Sequence, residues 1–303
     1  MCWNSDGSLW RGRRVNSRPW IAFGSFILAL EPPVALALVT GAGGALGAAV
    51  CAQLLRDGFR VLALDRDAVA NERTVRALGA PQAAIAGRTL DVGAPAAVGE
   101  LFEELRLGGD EPGVLVHCAG TPGRFAFLTE LSDDDWRELL ATHLDGAFFL
   151  LRAAAAGMRR RGSGRVVFIS SLAGRRGAVA SAAYSAAKAG LHGLAWSAAK
   201  ELGPWGITVN AVAPGMIATP PNLALERKGS GFIGRALAET PSRQMSRPED
   251  IAALVGFLVS AAAANINGQI IGHDGGAGLD SGIDEFLRER LEPIASEPPR
   301  SKT

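Results

Sequence analysis

The 303-residue chain has one tyrosine, three cysteines and a formal net charge of only +1. So small a charge provides no basic field for nucleic acid and no acidic field for basic partners. Cys2, Cys51 and Cys118 are odd in number and form no C-x-x-C pair, so neither a disulfide framework nor a zinc site follows. A reducing, cytoplasmic setting is the expectation. His117, His143, His192 and His273 show no metal-ligand spacing. The apolar run Trp20–Leu30 is about half the roughly 20 residues that span a bilayer as a helix, so stable membrane insertion is not expected. What is plentiful is apolar: 48% of the residues are hydrophobic and 20% charged, which permits a sizeable core and excludes wholesale disorder.

Residues 1–33 differ from the rest. They carry three of the six Trp, with Arg11, Arg13 and Arg14 ahead of the apolar run. Basic residues before an apolar core resemble a signal peptide, but no A-x-A-like site follows. The segment reads as an extension whose translation is itself in question, with a start near Val34. A disordered or partner-binding arm, and last a membrane anchor, are the alternatives.

From Val34 short apolar runs alternate with helical stretches. VALALV (34–39), RVLALD (60–65), VLVH (114–117), RVVFIS (165–170), ITVNAV (207–212) and QIIG (269–272) read as strands. Helices are expected near 45–57, 95–107, 133–161, 182–202 and 248–261. Near-continuous apolar strands separated by helices predict a parallel sheet covered on both faces. Ser132 followed by three Asp is a capping signal for the helix that starts at 133. A domain over 34–276 is expected, followed by an extension, 277–303, whose Pro-rich and charged end frays.

The first strand runs into Thr40-Gly41-Ala42-Gly43-Gly44-Ala45-Leu46-Gly47 and then a helix. Such glycines permit a tight turn and bring backbone N–H groups up to a pyrophosphate at the helix N-terminus. Asp65 closes the second strand, where a carboxylate accepts from the adenosine ribose hydroxyls and repels a 2′-phosphate. That favours NAD over NADP, with Arg66 as the opposing signal. Asp91-Val92 and His117-Cys118-Ala119-Gly120 follow the third and fourth strands, at the carboxyl ends where open α/β sheets bind ligands.

Tyr184 and Lys188 lie one turn apart on an expected helix, hence on one face, and Ser171 closes the fifth strand upstream. A phenol with its pKa near about 10 is a poor base at neutral pH. A neighbouring ammonium brings it toward acid–base range.

With these residues assembled, the chain resembles the classical short-chain dehydrogenase/reductase family over roughly Val34 to Gly276. The resemblance rests on the TGxxx turn, Asp65, Asp91, Ala119-Gly120, Ser171, Tyr184, Lys188, Asn210, Pro214-Gly215, Thr219 and Asp274-Gly275-Gly276. It implies a single Rossmann-type, doubly wound, mostly parallel seven-stranded sheet and a homotetramer or homodimer. It implies hydride exchange between nicotinamide and a secondary alcohol or ketone of hydroxyacyl, oxoacyl or small-alcohol type. Tyr184 would exchange the proton, Lys188 hold the nicotinamide ribose, and Ser171 stabilise the substrate oxygen. Pro214, Gly215, Ile217 and Thr219 would wrap the nicotinamide.

Three departures stand out. Ala45 replaces the family's central turn glycine. His117-Cys118 replaces two asparagines. His143 occupies the place of the catalytic Asn that helps hold a proton-relaying water, and as a histidine it is expected to make the relay pH-sensitive. A catalytically weakened nucleotide-binding scaffold or regulator is the competing reading. Residues 220–245, with Arg227 and Lys228, read as a mobile substrate lid. Phe125 and Phe127 read as pocket lining or core. Small residues at Ala186, Ala187, Ala189 and Gly190 would allow close approach of another helix.

Overall fold

The structure, a computed structural model, describes residues 35–279. The readings of residues 1–33 and of the charged C-terminal end concern residues outside that range. Seven strands, β1 (Leu36–Thr40), β2 (Arg60–Asp65), β3 (Ile85–Thr89), β4 (Val114–His117), β5 (Gly164–Ile169), β6 (Ile207–Pro214) and β7 (Ile270–His273), form one sheet in the order β3-β2-β1-β4-β5-β6-β7. Every adjacent pair is parallel. The expected sheet is therefore present and wholly parallel.

Alternation along the strands explains the two-sided cover. Leu36, Leu38, Leu62, Leu64, Leu115, Val166 and Phe168 face one core with α3 (Pro95–Leu107), α5 (Gly146–Arg161) and α7 (Ala182–Leu202). The residues between them, including Ala37, Val39, Val61, Ala63, Val116 and Val167, face a second core with α1 (Ala45–Arg56) and α10 (Pro248–Val259). Both faces are apolar because both are covered. Chain progression reverses between β1 and β4, which opens a crevice at the carboxyl ends of these strands.

Several elements differ from expectation. α2 (Ala68–Leu78) was hidden by its polar sequence; Asp67 caps it, accepting from Ala70 N at 3.0 Å, and Gly79 ends it in the left-handed region. The helix expected over 133–161 is broken. α4 (Asp133–Leu140), capped by Ser132 as its sequence predicts, gives way to a π-turn at Ala141–Asp145 before α5. β5 ends at Ile169, so Ser171 lies in the loop beyond the strand. That loop leads to the short α6 (Ala173–Arg176). The segment read as a lid contains α8 (Pro220–Arg227) and α9 (Gly231–Glu239).

Leu150 is fully buried where α5 meets the sheet, whereas Leu107 is 72% exposed. Leu150→Ala is expected to cost about 2–5 kcal/mol in urea unfolding, and Leu107→Ala within about 0.5 kcal/mol.

Candidate active site

The crevice holds a cavity of about 260 Å³. Its floor is the turn after β1, with Gly41, Gly44, Ala45, Leu46 and Gly47. Close packing dictates Gly47: a Cβ there would lie 2.1 Å from the Gly41 carbonyl oxygen. Gly44 precedes α1, and among the described residues no side chain caps that helix. Its first N–H groups therefore open onto the cavity with the positive end of the helix dipole behind them. A Cβ on Gly44 would approach only the Gly41 oxygen, at 3.4 Å. Ala45 borders the cavity at the start of α1, so its methyl group is accommodated there.

Asp65, Arg66, Asp91, Val92, Cys118, Ala119, Gly120 and Thr219 also border the cavity, joined by Leu64, Leu90, Thr121 and Thr142, which sequence reasoning did not select. Leu64 and Leu90 look like ordinary core leucines in sequence. Thr142 is brought in by the π-turn. Asp65 Oδ2 accepts from Gly43 N and Oδ1 from Asp67 N, each at 2.9 Å. Arg66 points to Glu138 at 3.7 Å, a well-exposed pair. Thr40, Gly43, Pro214, Gly215 and Ile217 do not border the cavity. Thr40 is buried at the end of β1, and Ile217 packs on the second core and bridges to Ser246.

Ser171, Tyr184 and Lys188 meet beyond the end of β5. Ser171 hydrogen-bonds Tyr184 and accepts Ala173 N at 3.1 Å. Lys188, only 4% exposed, donates Nζ to the Ile169 carbonyl at 2.7 Å, with Nζ 5.7 Å from the Tyr184 ring centre. Burial pulls the Lys188 pKa down to about 8, opposed by the Coulombic effect of Cys118. Burial raises the Tyr184 pKa, and the Ser171 hydrogen bond only partly offsets this. The expected lowering of the phenol by the ammonium is not found: burial raises it, and the lowering contribution comes from Ser171.

His143 stands edge-on to Tyr184, ring centres 5.4 Å apart. Its Nε2 lies 2.8 Å from the Thr121 carbonyl, while Nδ1 is buried without a partner. Gly120 is required beside it, since a Cβ there would fall 2.1 Å from the His143 Cε1. Burial first, then the Lys188 charge, pull the His143 pKa to about 2. The expectation that this residue titrates near neutrality is therefore overturned: the ring is neutral throughout the physiological range. Phe125 and Phe127 are 63% and 61% exposed, so they are not core, and Arg227 and Lys228 are solvated. Of the small residues on α7, Ala186 and Ala189 face outward. Ala187 is buried within the chain, and Gly190 gives room to Leu144.

The family model described as enoyl-(acyl carrier protein) reductase matches residues 41–278. The chain belongs to the short-chain dehydrogenase/reductase family. Mouse (3R)-3-hydroxyacyl-CoA dehydrogenase is 38% identical over 251 residues, covering 80% of this chain and 95% of that protein. The 3-oxoacyl-(acyl-carrier-protein) reductase FabG of Salmonella typhimurium is 34% identical over 241 residues, covering 80% and 96%. A crystal structure of an actinorhodin polyketide ketoreductase variant with NADPH superposes with TM-score 0.75 at 32% identity, covering 80% and 97%. As a short-chain dehydrogenase/reductase, the protein is an NAD(P)-dependent oxidoreductase that moves a hydride between nicotinamide and a secondary alcohol or ketone.

The buried histidines predict acid lability. Burial and Lys188 also pull the His117 pKa to about 3, while an unfolded histidine titrates near about 6.5. Folded values below the unfolded value mean that the unfolded chain takes protons first. The stability they contribute is full above about pH 6.5 and is lost as pH falls toward 3, at about 1.4 kcal/mol per pH unit per histidine. Urea midpoints measured at stepped pH should show this limb, and His117→Gln should flatten it by one histidine's share.

Proposed function

We propose that this short-chain dehydrogenase/reductase acts on a 3-hydroxyacyl or 3-oxoacyl thioester with NAD(H), using Tyr184 as the general acid/base. The observation that carries the catalytic part is the cluster of Ser171, Tyr184 and Lys188 past the end of β5. The substrate class follows the relatives, which are named for hydroxyacyl-CoA and oxoacyl-(acyl-carrier-protein) chemistry.

The uncapped start of α1 and the glycine turn fit a pyrophosphate: Gly41, Gly44 and Gly47 border the cavity without side chains, Ala45 and Leu46 open the helix beside them, and Gly43 shapes the turn through its bond to Asp65. Asp65 would accept from the adenosine ribose. Asp91, Val92, Ala119 and Gly120 would flank the base and the adjoining sugar. Thr40 would hold the turn in shape. Pro214, Gly215, Ile217 and Thr219 would border the nicotinamide, and Tyr184 and Lys188 its ribose. Asp65 supports NAD: its carboxylate already holds Gly43 N, and a Cβ on Gly43 would lie 2.7 Å from the Ala70 Cβ, leaving no room for a basic side chain at that position. Arg66, the residue that would favour NADP, is drawn toward Glu138.

The nicotinamide supplies or receives the hydride. With its phenol raised by burial, Tyr184 enters the reduction at neutral pH as a proton donor to the substrate oxygen. Ser171 donates a hydrogen bond to that oxygen, stabilising the charge that builds there. Lys188 stabilises the phenolate left behind, and the neutral His143 takes the place of an amide in the relay that restores the proton. We place the enzyme in the cytoplasm as a homotetramer or homodimer. The stretch 133–161 is long and apolar enough to cross a bilayer by composition, yet Ala147, Leu150, Leu151, Ala154 and Met158 are buried in the core, which supports a soluble reading.

Calorimetry should find NADH bound more tightly than NADPH, with Asp65→Ala weakening NADH by about tenfold, or about 1.4 kcal/mol. Tighter NADPH binding would overturn the NAD assignment. Tyr184→Phe should reduce acetoacetyl-CoA reduction by about 10²–10⁴-fold while NADH still binds. Because Lys188 loses its charge near pH 8, the wild-type reduction rate should fall as pH rises through that value.

A further inference from the structure

Two buried side chains beside the site, Thr40 and His117, have hydrogen-bond directions that can be assigned without ambiguity. His117 Nε2 lies 3.2 Å from the His143 backbone carbonyl, and Nδ1 lies 3.0 Å from Thr40 Oγ1. A carbonyl only accepts, so Nε2 carries the proton. His117 is fully buried and neutral, so Nδ1 is an acceptor and the Thr40 hydroxyl donates to it. Thr40 Oγ1 then accepts the Ala119 N–H at 3.1 Å. The chain therefore runs one way, from Ala119 N–H through Thr40 and His117 to the His143 carbonyl.

This chain ends inside the π-turn at Ala141–Asp145. Insertion of a side chain into a helix ladder is a recognised cause of such irregularity, and π-bulges concentrate at functional sites. The carbonyl that His117 engages belongs to the residue whose ring stands against Tyr184. Lys188 is the charged group acting on both histidines, and Cys118 in turn acts on Lys188.

We propose that His117 is a positioning residue: its Nε2–H holds the His143 carbonyl while Thr40 fixes its other nitrogen, tying the residue that opens the cofactor turn to the π-turn that presents His143 to Tyr184. The inference rests on the relay role proposed for His143. Its geometry makes a specific demand on substitutions. A glutamine amide reaches the position of Nε2 and can donate to the carbonyl. An asparagine amide reaches only the position of Nδ1 and can serve Thr40 alone.

The test is a comparison of wild type with His117→Gln and His117→Asn. In ¹⁵N NMR of imidazole-labelled protein, the signal removed by either substitution should be that of a neutral Nε2–H tautomer, unchanged between about pH 5 and pH 9. The His143 resonances should shift in His117→Asn and stay near wild type in His117→Gln. Turnover should fall by about tenfold with a raised solvent isotope effect in His117→Asn, and return to within about threefold in His117→Gln. The NADH dissociation constant should be retained in both. A His117 Nδ1–H tautomer would overturn the proposal. So would equal loss of kcat in the two variants, or losses that merely follow their unfolding midpoints. Should Tyr184→Phe retain full turnover, the proposed chemistry fails, while the tautomer and the His143 shifts still decide whether His117 positions the π-turn.

Discussion

Lys188 is a cation taken almost wholly out of water and held by one backbone carbonyl, that of Ile169. An ammonium in such surroundings acts strongly on whatever lies near it, because little solvent screens it. Its influence reaches His117 and His143, and it adds to the desolvation that keeps both rings neutral. Neutral rings in turn have one donor and one acceptor nitrogen, which is why the hydrogen bonds through Thr40 and His117 have a single direction. A second cation here would have to share the same low-dielectric volume. The neutrality of the histidines is thus set first by their burial and reinforced by where Lys188 sits.

That position comes from the sheet. Ile169 is the last residue of β5, and α7 lies across β5 and β6 with Ala187 and Leu191 buried in the core. Lys188 is also buried on that helix, and its stem ends at the point where the strand leaves a carbonyl free to accept it. Ser170, next along, donates its hydroxyl to the Lys188 carbonyl at 3.1 Å and so accepts from His192 Nε2 at 2.7 Å, fastening the helix to the strand end a second time. The same burial that orders the cluster raises the Tyr184 phenol. Desolvation and catalytic tuning here act in opposite directions, and the Ser171 hydrogen bond is the contribution that opposes burial directly.

The parallel sheet was legible because its inner strands are apolar on both faces, a pattern that only a two-sided cover explains, whereas the edge strand β3, exposed from Ala86 to Thr89, carried no such pattern and was missed among the apolar runs. The glycine turn and the Tyr184–Lys188 spacing were legible because they are local: one turn and one helix face contain them. What escaped was of two kinds. α2 offers no apolar stripe, since its buried side includes Asn71, whose amide donates to Ala63 O and Arg88 O instead of packing as a hydrocarbon. The π-turn left no mark because Ala-Thr-His-Leu-Asp reads as ordinary helix; the side chain that engages its carbonyl, His117, lies 26 positions earlier in the chain. His143 illustrates the same limit for electrostatics. Its residue type suggested a titrating switch, and only the burial and the nearby cation, both products of the tertiary fold, cancel that chemistry.

The departures from the family pattern also belong together. Where relatives of this fold were expected to carry asparagines, this chain has His117 and His143, and the two are in contact through a ring nitrogen and a carbonyl. An imidazole is longer than an asparagine amide, and its two nitrogens let it bridge Thr40 and the π-turn simultaneously. The larger His143 ring in turn occupies the space over Gly120, where a single methyl would collide with it. Replacing His117 by the shorter asparagine amide would leave the buried His143 carbonyl without this donor, a penalty of about 1–3 kcal/mol for a neutral acceptor. Because the bond between them ends on a backbone carbonyl, it depends on the imidazole at His117 and would survive any side chain at position 143.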